Sequence, residues 1–116
     1  MTTILYGIKT CDTMKKARAW LEAEGIAYEF HDYKLRGIDR ASLAAWQDKV
    51  GWEVLLNRTG TTFRKLSEEA RAGVDAEKAL ALMEAQPSMI KRPVLTQDGR
   101  IIVGFKPEQY AAFFGR

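Results

Sequence analysis

Asp98-Gly99 sits between two apolar runs, Val94-Leu95-Thr96 and Arg100-Ile101-Ile102-Val103. An Asp-Gly pair supplies the two successive positive-φ residues of a type I′ turn, so the last third of the chain reads as a β-hairpin. The flanking segments narrow the fold further. Thr3–Gly7 is a β-branched and apolar run that closes on glycine, which predicts a buried strand. From about Asp12 to Glu24, Met14, Ala17 and Leu21 recur on one helical face with Trp20 beside them. Gly25 stops that helix. Ile26 to His31 alternates and predicts a second strand. Pro107 suits the first position of a last helix, with Tyr110, Ala111 and Phe114 on its apolar face.

The middle of the chain reads as mostly helical. Asp39 caps a helix burying Leu43, Trp46 and Val50, and Gly51 to Leu56 continues as a short helical turn. Asn57-Arg58-Thr59-Gly60-Thr61-Thr62 reads as a polar loop. Asp75 caps another helix with Ala76, Ala79, Leu80 and Met83 on one face, and Pro87 ends it. Trp20, Trp46 and Trp52 fall in apolar patterns and are assigned to the core. The order is strand-helix-strand, a helical middle, then strand-strand-helix. A parallel βαβ unit plus a ββα unit make a mixed sheet with helices on it. This is an α/β, thioredoxin-like layout. It is read as a single domain over residues 1–116 with a helical insertion at about 36–90.

Composition excludes several function classes. Hydrophobic residues make up 47% and charged residues 28%, values of an ordinary globular chain. No run approaches the roughly 20 apolar residues of a membrane span. Eighteen basic residues against 15 acidic give a net charge of +3, too small and too scattered to predict nucleic-acid binding. It leaves room for a local pocket for a small anion. The start of the chain lacks the pattern of a signal peptide, which together with a lone cysteine points to the reducing cytoplasm. The apolar stripes are all needed for one core, so a monomer is expected.

The chain has one cysteine, Cys11, and one histidine, His31. No internal disulfide and no Cys-rich metal site can form, so no metal is expected. A lone cysteine is commonly a small buried hydrophobe. Cys11, however, lies between the first strand and the first helix, where unpaired N–H groups and the helix dipole favour an anion. An unperturbed thiol is only about 3% ionised at pH 7. Lowering its pKa by two units takes ~2.7 kcal/mol. A helix terminus supplies ~0.3–1 kcal/mol, at best ~2, so cations must contribute. The candidates are Lys9, Arg58, Arg64, Lys91, Arg92 and Lys106. Arg92 stands out because it precedes Pro93, and X-Pro bonds can be cis. In a thioredoxin-like arrangement that loop faces the helix carrying Cys11, and Lys106 lies at the same end of the sheet. Met14 stands where a Cys-x-x-Cys motif would place its resolving thiol. Any redox cycle must then borrow an external thiol such as glutathione. His31, at the end of the second strand, reads as a structural hydrogen-bonder.

Five segments carry a family resemblance. They are Leu5-Tyr6-Gly7-Ile8-Lys9-Thr10-Cys11-Asp12-Thr13-Met14-Lys15-Lys16-Ala17, Phe30-His31-Asp32-Tyr33, Gly51-Trp52-Glu53-Val54-Leu55-Leu56-Asn57, Gly60-Thr61-Thr62-Phe63-Arg64-Lys65-Leu66 and Ile90-Lys91-Arg92-Pro93. In this order and spacing the chain resembles the glutathione- and glutaredoxin-dependent arsenate reductase family of bacteria, which includes the Spx-type regulators, and within it a YffB-like branch. The resemblance implies a thioredoxin-like fold with a helical insertion, a nucleophile at Cys11, and an anion- or glutathione-binding Arg92 before a cis Pro93. The chain departs from arsenate reductases at Gly7 and Ile8, where they tend to carry histidine and asparagine. It departs again at Met14, which replaces a small hydroxyl residue, and at Lys106, which replaces an arginine. Asn57-Arg58-Thr59-Gly60 also reverses the branch's more usual Thr-Arg order.

The reading expected from these residues is a glutathione-dependent thiol/disulfide oxidoreductase. Cys11 is its nucleophile, and Lys9, Thr10, Arg92, Pro93, Lys106, Arg58 and Arg64 form the substrate- or glutathione-binding set. Glutathione is then a co-substrate, with no permanently bound cofactor. The expected partners are a small anionic or disulfide substrate and glutaredoxin. Two alternatives stay open: an arsenate reductase, and a non-enzymatic Spx-like regulator that binds RNA polymerase.

Overall fold

Four strands form one mixed sheet in the computed structural model, which describes residues 2–116. They are β1 (Thr3–Gly7), β2 (Glu29–Asp32), β3 (Val94–Gln97) and β4 (Arg100–Val103), in spatial order β2-β1-β3-β4. β1 runs parallel to β2 and antiparallel to β3, and β3 pairs antiparallel with β4. Helix α1 (Asp12–Ala23) joins the parallel pair, and α8 (Pro107–Phe113) follows the hairpin. This is the α/β, thioredoxin-like arrangement expected. Asp98 (φ 49°) and Gly99 (φ 83°) both take the positive φ that the hairpin turn requires.

The contacts divide the chain into two compact units: the segment ending at Tyr33 with Arg92–Arg116, and Lys34–Lys91. In the first unit, the register brings Phe30, Leu5, Leu95 and Ile102 into one row across the sheet. Met14, Ala17 and Leu21 of α1 and Tyr110 of α8 join Leu5 and Leu95 in its core, and all six are fully buried. Each such Leu contributes roughly 1.5–3 kcal/mol by leaving water. The next row, His31, Tyr6, Val94 and Val103, points to the opposite face. Among the described residues, the buried polar side chains Thr3 and Gln97 are joined by a 2.9 Å hydrogen bond from the Gln97 amide to the Thr3 hydroxyl.

The second strand starts later than its apolar pattern predicts, at Glu29 rather than Ile26. The cause is the end of α1. Gly25 (φ 69°) donates to the Glu22 carbonyl and Ile26 to the Leu21 carbonyl, the paired bonds of a Schellman motif. Ile26 is therefore the apolar residue that closes the helix, packed against the core.

The second unit is helical. Helix α2 (Tyr33–Arg36) leads into it, followed by α3 (Arg40–Val50), α4 (Trp52–Leu55), α5 (Thr61–Arg64), α6 (Glu68–Arg71) and α7 (Ala76–Ala85). Asp39, Ser67 and Asp75 cap α3, α6 and α7 through the N–H groups of Ser42, Ala70 and Lys78. Leu43, Trp46, Leu55, Phe63, Leu80 and Met83 are among its buried side chains. The expected polar loop at 57–62 ends early, because Thr61 already opens α5. Pro87 ends α7 as expected but also begins a 3-10 turn, Pro87–Met89. Trp46 is buried, whereas Trp20 and Trp52 are only half-buried. The Trp52 ring lies under the Arg58 guanidinium, 5.3 Å from its centroid.

Candidate functional site

Cys11 is the N-cap of α1, in extended conformation (φ −73°, ψ 131°). The turn before it is held by the Cys11 N–H donating to the Ile8 carbonyl, and the helix starts with Lys15 N–H donating to the Cys11 carbonyl. A cap side chain faces the N–H groups two and three residues on. Here those belong to Thr13 and Met14; the thiol makes no cap hydrogen bond to them, but both amides favour its thiolate.

The same end of the sheet receives Arg92. β3 is antiparallel to β1 with Val94 opposite Tyr6, so the residues just before β3 lie beside the carboxyl end of β1. The Arg92–Pro93 peptide is cis, and the Pro93 carbonyl accepts from Gly104 N–H at 2.8 Å. Arg92 is half-buried and hydrogen-bonds the Cys11 sulfur.

Burial opposes ionisation of Cys11 and is the largest single influence on it. It is outweighed by the Met14 amide, the Arg92 hydrogen bond, the Thr13 amide and the Arg92 charge, which hold the thiol's pKa below its ordinary value. Of the expected basic residues, Arg92 is the one whose charge acts on the sulfur. Lys9 and Thr10 are exposed in the turn before Cys11, and Lys106 is exposed at the start of α8. Arg58 and Arg64 are exposed in the second unit. Among the described residues, no three His, Cys, Asp or Glu side chains cluster as a metal site would require.

The pH dependence follows from this direction. Alkylation of Cys11 by iodoacetamide should inflect below the pH of an ordinary thiol, and Arg92→Met should move the inflection up. An unchanged inflection in Arg92→Met would remove the guanidinium from the account. Folding lowers the Cys11 pKa, so the thiolate stabilises the fold above the pH where an unfolded thiol ionises. That contribution disappears as pH falls through the lowered folded value.

Met14, at the position of a resolving thiol, is fully buried. Its side chain occupies the space above Gly7. A Cβ on Gly7 would overlap the Met14 sulfur outright and come within 2.7 Å of its Cε. Gly7 has ordinary strand geometry and no positive φ. It is needed for closeness, not for conformation. Two departures seen in the sequence, at positions 7 and 14, are therefore one packing solution.

Sequence reasoning singled out Cys11 and Arg92 but passed over Tyr33. That side chain directly follows β2 at the same sheet end and is 4% exposed. Arg92 acts electrostatically on its hydroxyl. An aromatic residue directly after a parallel strand was the available signal.

The comparisons with known proteins bear on the family and the fold. A family model described as the ArsC family matches residues 6–113. An uncharacterised protein of Haemophilus influenzae is 41% identical over 110 residues, covering 95% of this chain and 96% of that one. The solved YFFB (PA3664) protein is 62% identical with a TM-score of 0.94, covering 96% of this chain and 97% of that one. An arsenate reductase (ArsC) related protein from Brucella melitensis is 61% identical with a TM-score of 0.78, covering 98% and 95%.

Proposed function

Because the chain belongs to the ArsC family, we propose that it is a glutathione-dependent thiol/disulfide oxidoreductase in which the Cys11 thiolate is the nucleophile. The observation that carries this reading is the Cys11 sulfur at the start of α1, its pKa lowered by Arg92 and the α1 amides, with no second thiol in the chain.

The steps follow from thiol–disulfide exchange. The Cys11 thiolate attacks the glutathionyl sulfur of a mixed disulfide. A Cys11–glutathione S–S bond forms, the substrate S–S bond breaks, and the substrate leaves as a thiolate that takes a proton from water. A second glutathione thiolate then attacks the glutathionyl sulfur. Oxidised glutathione departs and the Cys11 thiolate returns. The net change is one mixed disulfide plus one glutathione to one free thiol plus oxidised glutathione. Arg92 steadies the anion beside the reacting sulfurs. Lys9, Thr10 and Lys106 are assigned to the glutathione carboxylates, and Pro93 to the edge along which the peptide lies.

Arsenate reduction fits these residues less well. Lys106 is a point charge without the bidentate fork of arginine, and the Gly7–Met14 packing leaves no polar group there. The test is turnover of a glutathionylated substrate and of arsenate, each with glutathione. Mixed-disulfide turnover should exceed arsenate turnover at least tenfold. The reverse order makes this an arsenate reductase. Turnover of neither, with Cys11 unreactive toward oxidised glutathione, leaves a regulatory role for the fold.

A further inference from the structure

Helix α1 carries its charges against its own dipole. A helix favours acids at its start and bases at its end. In α1 the bases Lys15 and Lys16 follow Cys11 and Asp12 in the N-terminal half, whereas Glu22 and Glu24 stand in the last turn and at the C-cap, with no base in that turn. Helices α3 and α7 also break the rule, but they satisfy the misplaced charge inside the protein. Arg40, at the start of α3, pairs with Glu77 and with Glu84 near the end of α7. Lys78, near the start of α7, donates to the Glu69 and Ala72 carbonyls. The acids of α1 are satisfied too: Glu22 accepts from the Tyr28 hydroxyl at 3.0 Å, and Glu24 pairs with Arg116 at 3.4 Å. Lys15 and Lys16 are different. Both are exposed, and among the described residues neither side chain has an ion pair or a hydrogen bond. They do not serve the thiol either, since Arg92 is the charge that acts on the sulfur.

Their placement points outward from the site. Met14, Ala17 and Leu21 bury one face of α1. Lys15 is four residues beyond Cys11, one turn along the same flank, and Lys16 stands in the same relation to Asp12. β4 runs in the direction of β1, so Lys106, exposed where β4 leads into α8, lies at the same sheet end, as does Lys9. The exposed acids at that end are Asp12 and Glu108, and Asp32 is half-buried with an interaction of its own. Lys9 and Lys106 are the residues assigned to the glutathione carboxylates. Lys15 and Lys16 are thus left for whatever carries the other half of the mixed disulfide.

We propose that Lys15 and Lys16 form a docking surface for acidic residues that flank the glutathionylated cysteine of a protein substrate. This rests on the reading of the chain as a glutathione-dependent oxidoreductase and names its substrate class. Two unpaired ammonium groups at the unfavourable end of a helix cost stability, and a partner's carboxylates offset that cost on docking. Opposite charge also speeds the encounter and selects the partner.

The test uses the sole cysteine as reporter and needs no turnover. Two short peptides carry a central S-methylcysteine, flanked by glutamates in one and by lysines in the other. Each is titrated against iodoacetamide alkylation of Cys11 at low ionic strength. The acidic peptide should slow alkylation saturably, at a concentration at least about tenfold below that of the basic one. In Lys15→Gln/Lys16→Gln its half-protecting concentration should rise about five- to tenfold, and about 0.5 M sodium chloride should erase the difference between the two proteins. Lys49→Gln/Arg71→Gln removes the same net charge from exposed positions of the second unit and should change protection less than about twofold. The Lys15→Gln/Lys16→Gln protein should unfold at an equal or higher denaturant concentration, because it loses two misplaced charges.

Equal protection by the two peptides overturns the proposal, as does protection by neither. So does an acidic preference that survives Lys15→Gln/Lys16→Gln, or one that falls equally in the control pair and so reports net charge alone. A less stable or unfolded Lys15→Gln/Lys16→Gln protein overturns it as well, since the lysines would then have partners inside the fold. Protection by S-methylglutathione but by neither peptide makes the substrate a small disulfide. An acidic preference without mixed-disulfide turnover removes the proposed function alone, and turnover without that preference removes the docking surface alone.

Discussion

Cys11→Ser should lose turnover by at least about a thousandfold while keeping the fold. Removing a nucleophile that acts as one unit with its surroundings costs several orders of magnitude in rate. A serine hydroxyl does not ionise near neutrality, and Arg92 with two amides cannot close that gap. The chain has no other cysteine to take over. Cys11 is half-buried and exchanges one small side chain for another, so stability should change by less than about 1 kcal/mol. The check is steady-state turnover beside a denaturant titration of both proteins. Activity above one per cent of wild type would remove Cys11 from the chemistry, whatever its pKa.

The second large effect concerns Gly7 and Met14. Gly7→Ala puts a methyl group into the Met14 sulfur in an interior strand of the sheet. Overpacking of this kind costs about 1–3 kcal/mol. Met14→Ala empties a fully buried site and costs about 2–5 kcal/mol. The double variant should lose less than the two single losses combined, by at least about 1 kcal/mol, because the new methyl occupies part of the space the thioether leaves. Chemical denaturation of the four proteins measures that coupling. Strict additivity would mean that the two residues do not share the space assigned to them.

How much of this was readable from the sequence depended on the length of each signal. β1, α1, the hairpin and α8 each combine a patterned run with a stop or turn residue, and they stand where expected. Helices α2, α5 and α6 are four residues each, barely one turn, and no apolar period can show itself in so short a stretch. Ser67 was a readable cap for α6, but nothing after it repeats. Ile26 misled because an apolar residue that closes a helix looks the same as one that opens a strand. Cys11 and Arg92 were readable from their places beside strand ends. Tyr33 lies in one of the resembling segments but was not read as part of the site, because its chain neighbours, Asp32 and Lys34, do not show that it follows a strand at the same sheet end as Arg92. The Gly7–Met14 pair appeared in the sequence as two unrelated departures, and only their contact joins them.

The pairing of β1 with β3 also bears on how the thiol acquires its character. Thr3 meets Gln97, and the two groups that matter most for the sulfur, α1 and Arg92, are about eighty residues apart along the chain. In equilibrium terms that distance is cheap, since doubling a closed loop costs only about 0.6 kcal/mol. In time it is expensive, because contacts between distant segments form late. While the chain is being synthesised, Cys11 emerges early and waits through the whole helical segment before its guanidinium exists. Until then the amides of α1 act on it alone, without the guanidinium. The Arg92 share of its lowered pKa thus arrives with the last strands, when the sheet that carries it can also close.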